Sequence, residues 1–244
     1  MTAFVLVHGA WHGGWCWQRV AATLRAKDHA VFTPSLTGLG DRAHLLTASI
    51  NLSTHIADIT GMVESYDLED VVLCGHSYGG LVISGVADQM PDRIRALVYL
   101  DALVPEDGQS MFDTIPDAIA DGFRKQAEDG DGYSVPPMTA EQFNVNQADA
   151  AWMNRKCSNH PLASFAEPLS LNGRHLEVAR RMYVLAAGFD HPGTKAAYET
   201  VKARSGWESE IMQGGHDLMI DNPDAVTDVL LRCVSSPASV SYTH

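Results

Sequence analysis

The 244-residue sequence holds only four cysteines, Cys16, Cys74, Cys157 and Cys233, and no C-x-x-C pair among them. That spacing excludes a disulfide framework and reads as reduced thiols of an intracellular protein. No H-E-x-x-H or comparable ligand spacing is present, so no metal site is expected. No run approaches the roughly 18 apolar residues of a membrane span, and the N-terminus lacks the charged and apolar regions of a signal peptide. A cytoplasmic location without membrane attachment is the resulting expectation. Cationic residues are scarce too: 17 Lys and Arg stand against 30 Asp and Glu, a formal charge of −13. A nucleic-acid partner needs a concentrated basic surface, and none is visible. Internal repeats and low-complexity tracts are absent.

What the chain does have is a rhythm of short apolar runs alternating with helical patterns. Ala3–His8, Ala30–Pro34, Val71–Gly75, Arg95–Leu103, Met182–Ala187 and Trp207–Met212 read as strands of a doubly wound α/β fold with a mainly parallel sheet. Helices are predicted up to about Lys27, over Ser53–Tyr66 with Ser53 as N-cap, over Tyr78–Met90, Gly193–Arg204 and Pro223–Cys233. Residues 105–180 break the rhythm with Asp, Gly, Pro, Asn and Met, and with helical patches at Asp117–Glu128 and Thr139–Lys156. This segment reads as a cap inserted into a core of residues 1–104 and 181–234, over the strand ends where ligands bind. Residues 235–244 read as a frayed tail.

Gly75-His76-Ser77-Tyr78-Gly79-Gly80 follows one apolar run and opens a helical one. This is G-x-S-x-G in the strand–turn–helix context that gives it meaning. Small neighbours two residues to either side let the backbone turn sharply and project the Ser77 hydroxyl above the sheet. Helix N–H groups then face the same point and can hold a developing oxyanion. Serine needs an adjacent imidazole to take its proton. Of eleven histidines, His216 in Gly214-Gly215-His216-Asp217 directly follows the last strand, at the same sheet edge as Ser77. His76 should point away from the nucleophile. His160, His175 and His191 fall in or beside the cap, where solvated surface positions are expected.

The third member, a carboxylate that fixes the imidazole tautomer, has two candidates. Asp101 ends the apolar run LVYLDALV, where an unpaired buried carboxylate would be costly. Asp190 lies in the polar turn Gly188-Phe189-Asp190-His191, where aspartate needs no partner. The burial argument favours Asp101 and leaves Asp190 as the alternative.

FVLVHGAWHGGWCW, TGLGDRAHL, GHSYGG, DALVP and GGHDLM, spread over nearly the whole chain, resemble the branch of the α/β-hydrolase superfamily that contains hydroxynitrile lyases, plant methyl-ester esterases and bacterial esterase relatives. The resemblance implies a six-stranded sheet (α/β-hydrolase fold), a small helical cap, no cofactor and often a homodimer. It assigns Ser77 and His216 to a catalytic triad, and the backbone N–H groups of Ala10 and Tyr78 to the oxyanion hole. Gly9, Trp11, His12 and Trp152 are the candidate pocket residues. In the plant members the acid position falls on Phe189, one residue short of Asp190, whereas the haloalkane dehalogenase branch places it where Asp101 stands. The lyases carry Thr at the position of Gly9 and Lys at that of Asp217. Lacking that hydroxyl and cation, and with Asp217 expected to repel departing cyanide, the chain reads as a carboxylesterase-type serine hydrolase. The expected substrate is a small, partly apolar carboxylic ester or lactone, cleaved through an acyl-enzyme. Lyase or cyclase chemistry on the same triad, or slow-turnover ligand binding, are the competing readings.

Overall fold

Among the described residues eight strands form in chain order: β1 (Ala3–Val7), β2 (Ala30–Phe32), β3 (Val71–His76), β4 (Ile94–Leu100), β5 (Ser134–Val135), β6 (His160–Pro161), β7 (Arg180–Ala186) and β8 (Trp207–Met212). The computed structural model describes residues 2–234, so the tail expected over 235–244 lies outside the described residues. Six of the strands pair in the order β2-β1-β3-β4-β7-β8, every neighbouring pair parallel. All six residues of β3 are buried, as a central strand covered on both faces requires. The chain leaves β1 toward one edge and returns to β3 on its other side. The strand order therefore reverses between β1 and β3, where open α/β sheets form ligand crevices at their C-terminal ends.

Among the described residues nine α-helices accompany the strands: α1 (Gln18–Arg25), α2 (Leu52–Ser65), α3 (Gly79–Gln89), α4 (Asp117–Asp129), α5 (Gln147–Lys156), α6 (Leu162–Ala166), α7 (Pro192–Lys202), α8 (Leu218–Asp221) and α9 (Pro223–Arg232). In α2, Leu52, His55, Ile56, Ile59 and Val63 recur at helical spacing and form its buried face. Its N-cap is Asn51, which exchanges a capping box with Thr54. Ser53, the residue expected there, is the second residue of the helix, and its hydroxyl donates instead to Glu167 Oε1 at 2.7 Å.

Between β4 and β7 the chain builds α4, α5, α6 and the two-stranded antiparallel ribbon β5–β6. The helical patch expected from Thr139 forms only from Gln147. There Asn146 accepts from the Asp149 N–H as an N-cap, while residues 139–145 are tied by turn-type hydrogen bonds. The ribbon and the short α6 were not legible as elements, because two-residue strands carry no periodicity.

Candidate active site

Ser77 stands between β3 and α3 with φ 53°, in the left-handed region that non-glycine residues seldom occupy. The turn is tight enough that a Cβ at Gly75 would lie 2.5 Å from the Gly79 carbonyl oxygen, and one at Gly79 would lie 2.9 Å from that of His8. Larger residues at either place would open the turn. Ser77 Oγ lies 2.9 Å from His216 Nε2, and His216 Nδ1 lies 2.6 Å from Asp101 Oδ2. The second oxygen of Asp101 accepts the Ala186 N–H at 3.0 Å. A carboxylate can only accept, so the Nδ1–H of His216 donates to Asp101 and its Nε2 lone pair faces the serine hydroxyl. Asp101 is fully buried, His216 nearly so, and the His216 backbone N–H donates to the Phe143 carbonyl at 2.9 Å. Phe143 and Phe189 pack on the imidazole with ring centroids 5.1 and 4.4 Å away.

Asp190, the alternative acid, is set apart from this chain of contacts. Its side chain is 86% exposed and pairs with Lys195 Nζ at 2.6 Å. The polar turn that made it a candidate carries it to the surface, and Asp101 alone of the two meets His216.

Ala10 lies in the buried loop after β1, and Tyr78 opens α3. The Tyr78 side chain points away from the serine; its hydroxyl meets His55 Nδ1 at 2.9 Å. The next residue along the β1 loop, Trp11, is held at three points by the insertion. Its N–H donates to His160 Nδ1 at 3.2 Å, its indole Nε1–H to the Val135 carbonyl at 3.0 Å, and its carbonyl accepts from Ser158 N–H at 2.9 Å.

Ser77 and His216 open onto a cavity of about 230 Å³. Trp11, Phe123, Phe143 and Phe189 supply aromatic walls, and Met111, Ile115, Ile119 and Met138 from the insertion supply aliphatic ones. Beside Ser77 and His216 the polar lining is Gln126, Gln142, Thr194 and His191, with no carboxylate and no Lys or Arg. Of the expected pocket residues only Trp11 lines the cavity. Gly9 abuts Ser77 from the side: a Cβ there would sit 2.8 Å from that of the serine. His12 turns beneath the site toward Asp217, 3.2 Å away, and Trp152 packs edge-on against Trp15 at 5.0 Å, on the far side of the loop. The two corrections have different causes: the buried Asp217 draws His12 away from the cavity, whereas Trp152 belongs to α5, where it packs against Trp15.

Two histidines expected at the surface are also relocated. His160 is fully buried and stacks on Phe165 at 4.2 Å. His191 lines the cavity, stacks on Phe189 at 5.6 Å, and caps α7 by accepting the Gly193 N–H. The His191-Pro192 pair at the mouth of a helical pattern was the available signal for that cap. Burial, reinforced by His216 nearby, lowers the His191 pKa. Asp217, expected to face a departing anion, is fully buried and points away from the cavity to His12 and His76. It does not repel ligands there. Among the described residues no three His, Cys, Asp or Glu are grouped to hold a metal ion, and no helix is long and apolar enough to cross a membrane.

Comparison with known proteins follows the same lines. Residues 4–229 match the alpha/beta hydrolase family. The chain is 43% identical to a carbendazim hydrolyzing esterase of Nocardioides sp. (strain SG-4G) over 94% of this chain and 98% of that one. It is 34% identical to methylesterase 1 of Arabidopsis thaliana over 68% of this chain and 56% of that protein. Among solved structures, an extracellular alpha/beta-hydrolase from a Paenibacillus species superposes with a TM-score of 0.83 at 23% identity, covering 96% of this chain and 99% of that one. With the match spanning both sheet halves and the insertion between them, this chain belongs to the alpha/beta hydrolase family.

Proposed function

We propose that this chain is a serine esterase that cleaves small, uncharged, largely apolar carboxylic esters or lactones through an acyl-enzyme on Ser77. The observation that carries the reading is the continuous chain Asp101–His216–Ser77, with contacts of 2.6 and 2.9 Å, ending at an apolar cavity. His216 takes the Ser77 proton as the hydroxyl oxygen attacks the ester carbonyl. Asp101 stabilises the imidazolium that results and fixes its tautomer. The Ala10 and Tyr78 N–H groups receive the oxyanion, each such donor contributing about 10²–10³ in rate. His216 then returns the proton to the departing alkoxide, and a water activated by the same imidazole releases the acid.

The cavity lining lacks Lys, Arg, Asp and Glu, so nothing compensates a buried charge on either half of the substrate. At about 230 Å³ the cavity is smaller than the roughly 300–1,000 Å³ of drug-sized pockets. Both features support a compact neutral ester, and the 43% identical relative makes carbendazim an early substrate to try.

The test is turnover of p-nitrophenyl acetate and carbendazim by the purified chain and by Ser77→Ala, with fluorophosphonate labelling read by mass spectrometry. Loss of turnover in Ser77→Ala and a label on Ser77 are expected. Full activity in the alanine variant, or a label on another serine, would overturn the mechanism.

A further inference from the structure

Behind the Asp101–His216–Ser77 chain lies a second Asp–His pair that the mechanism leaves unused. Asp217 directly follows His216 and is fully buried; its Oδ1 stands 3.2 Å from His12 Nε2 and 3.7 Å from His76 Nε2. A carboxylate withdrawn from water needs a compensating charge, and counting protons identifies it. His12 Nδ1 lies 2.7 Å from the Ala10 carbonyl oxygen, which can only accept, so Nδ1 carries a hydrogen. His76 Nε2 lies 3.0 Å from the His216 carbonyl oxygen, so its hydrogen is donated there. His12 Nε2 then faces Asp217 with a lone pair or with a second proton. A lone pair opposite a carboxylate repels, which favours a second proton on the ring, and imidazole is the stronger base of the two.

We propose that His12 and Asp217 form a buried imidazolium–carboxylate pair that positions the oxyanion loop against the loop of the catalytic base. The proposal rests on the serine-esterase reading above. One ring bridges the two loops: His12 holds the Ala10 carbonyl through Nδ1 and Asp217, the neighbour of His216, through Nε2. The His12 ring is itself held by stacking on Trp15 at 5.2 Å. His76 reinforces the base side, donating to the His216 carbonyl while its ring packs 4.5 Å from the catalytic imidazole. His12 and Asp217 are positioning residues, since neither lines the cavity.

The surroundings leave no other partner for the proton. His8 after β1, His76 on β3 and His160 on β6 are all driven toward the neutral form, in each case chiefly by burial. The thiols that face Asp217, Cys16 before α1 and Cys157 after α5, are pushed up by burial, the latter to about 12. His12 differs: burial opposes its charge, but Asp217 together with the Ala10 carbonyl outweighs burial and raises its pKa. Burial likewise opposes the Asp217 carboxylate, and His12 carries it below the usual range.

Histidine-selective ¹⁵N NMR of the intact chain at pH 7.5 tests the charge state directly. His12 should show both ring nitrogens protonated, and in Asp217→Asn a single one. Asp217→Asn should lower kcat for p-nitrophenyl acetate by roughly 10–100-fold with KM little changed, the scale of lost supporting contacts around a reactive group. Removing one partner of a buried pair can prevent folding, so Asp217→Asn combined with His12→Gln, which removes both charges, keeps the test open. If the pair acts as a unit, the double variant is no slower than the slower single one. A neutral His12 in the unaltered chain, unchanged kcat in Asp217→Asn, or single effects that multiply in the double variant would each overturn the proposal. Turnover surviving in Ser77→Ala would instead strike the esterase reading, and the His12 spectrum would still decide the charge state.

Discussion

Ser77 and Asp101 are pinned to each other's turns. The Ser77 N–H donates to the carbonyl of Leu100 at 3.3 Å, and the Ser77 carbonyl accepts from Leu103 N–H at 3.1 Å, so Asp101 sits between two residues that grip the serine. Both residues occupy the left-handed region, with φ 53° and 43°. A non-glycine residue held there costs on the order of 1–3 kcal/mol, and such strain persists only where the surroundings over-determine it. Adjacent strands β3 and β4 thus end in two strained turns locked by main-chain hydrogen bonds. His216, arriving from β8, closes across both side chains.

Asp101→Asn should therefore lower kcat by about 10⁴, the loss seen when the charge behind a triad histidine is removed. Asparagine keeps the shape and the contact with the Ala186 N–H, so the loss reads charge and tautomer alone. Asp190→Asn should stay within about threefold of the unaltered enzyme, because its contact is an exposed ion pair of small energy. Steady-state kinetics on one ester decides both. A large loss in Asp190→Asn with a small one in Asp101→Asn would move the acid to the wrong loop.

The parts of the site legible in the sequence are those set by local backbone demands. Gly75 and Gly79 are required by contacts inside a six-residue turn, so GHSYGG announces its own geometry. His216 followed from the order of strands, and Asp101 from the cost of an unpaired carboxylate in an apolar run. Residues that depend on distant packing were not legible. Phe143 reaches the imidazole only because residues 139–145 fold back against β8's loop, with its carbonyl held by His216 N–H. His12 and Asp217 lie near opposite ends of the sequence yet are adjacent in space, and no periodicity links them. The cap aromatics, likewise, face inward by tertiary contacts that a loop-rich stretch does not encode locally.

Gly9→Ala should lower kcat/KM by about 100-fold, the effect of displacing a reacting group by roughly 1 Å. The added Cβ would lie 2.8 Å from both His76 Nδ1 and the Ser77 Cβ, closer than either contact allows, so the turn around Ser77 must shift. The same contact stands in the way of converting the site toward cyanohydrin cleavage by Gly9→Thr with Asp217→Lys: the threonine would strike the turn that carries Ser77, and the lysine would enter buried surroundings beside His12. Release of cyanide from mandelonitrile by that double variant, at rates above the unaltered chain, would contradict this reading.

Trp11→Phe should destabilise the chain by about 1–3 kcal/mol, because it leaves the buried Val135 carbonyl without its indole donor. The phenyl ring still walls the cavity, so kcat/KM for a small acetate ester should change far less than for Gly9→Ala. Urea unfolding together with ester kinetics separates the two effects. Unchanged stability would mean that the ribbon β5–β6 does not hold the β1 loop through this bond.

Stability should fall steeply as the pH drops below about 6.5. Four buried histidines are neutral in the folded chain: burial lowers His8 to about 3 and His55 to about 4, and carries His76 and His160 well below the ordinary value. In the unfolded chain each takes a proton near pH 6.5. Below that pH the unfolded state binds more protons than the native one, so the free energy of unfolding decreases as pH falls. Each histidine contributes up to roughly 1.4 kcal/mol per pH unit, and the four together at most about 5.6 kcal/mol per unit. Against a typical total of about 5–15 kcal/mol, one to two units of acidification remove a large share of the stability. His12 has the opposite sign. Its pKa is raised beside Asp217, so its contribution is complete below about 6.5 and is lost as pH rises through its folded value. Urea unfolding at pH 7.5, 6.5 and 5.5 should show the midpoint collapsing over the last interval. His55→Gln, which removes one of the four titrations, should reduce the slope by about a quarter. A midpoint that holds steady between pH 6.5 and 5.5 would show that these rings are protonated inside the fold, contrary to their burial and their hydrogen bonds.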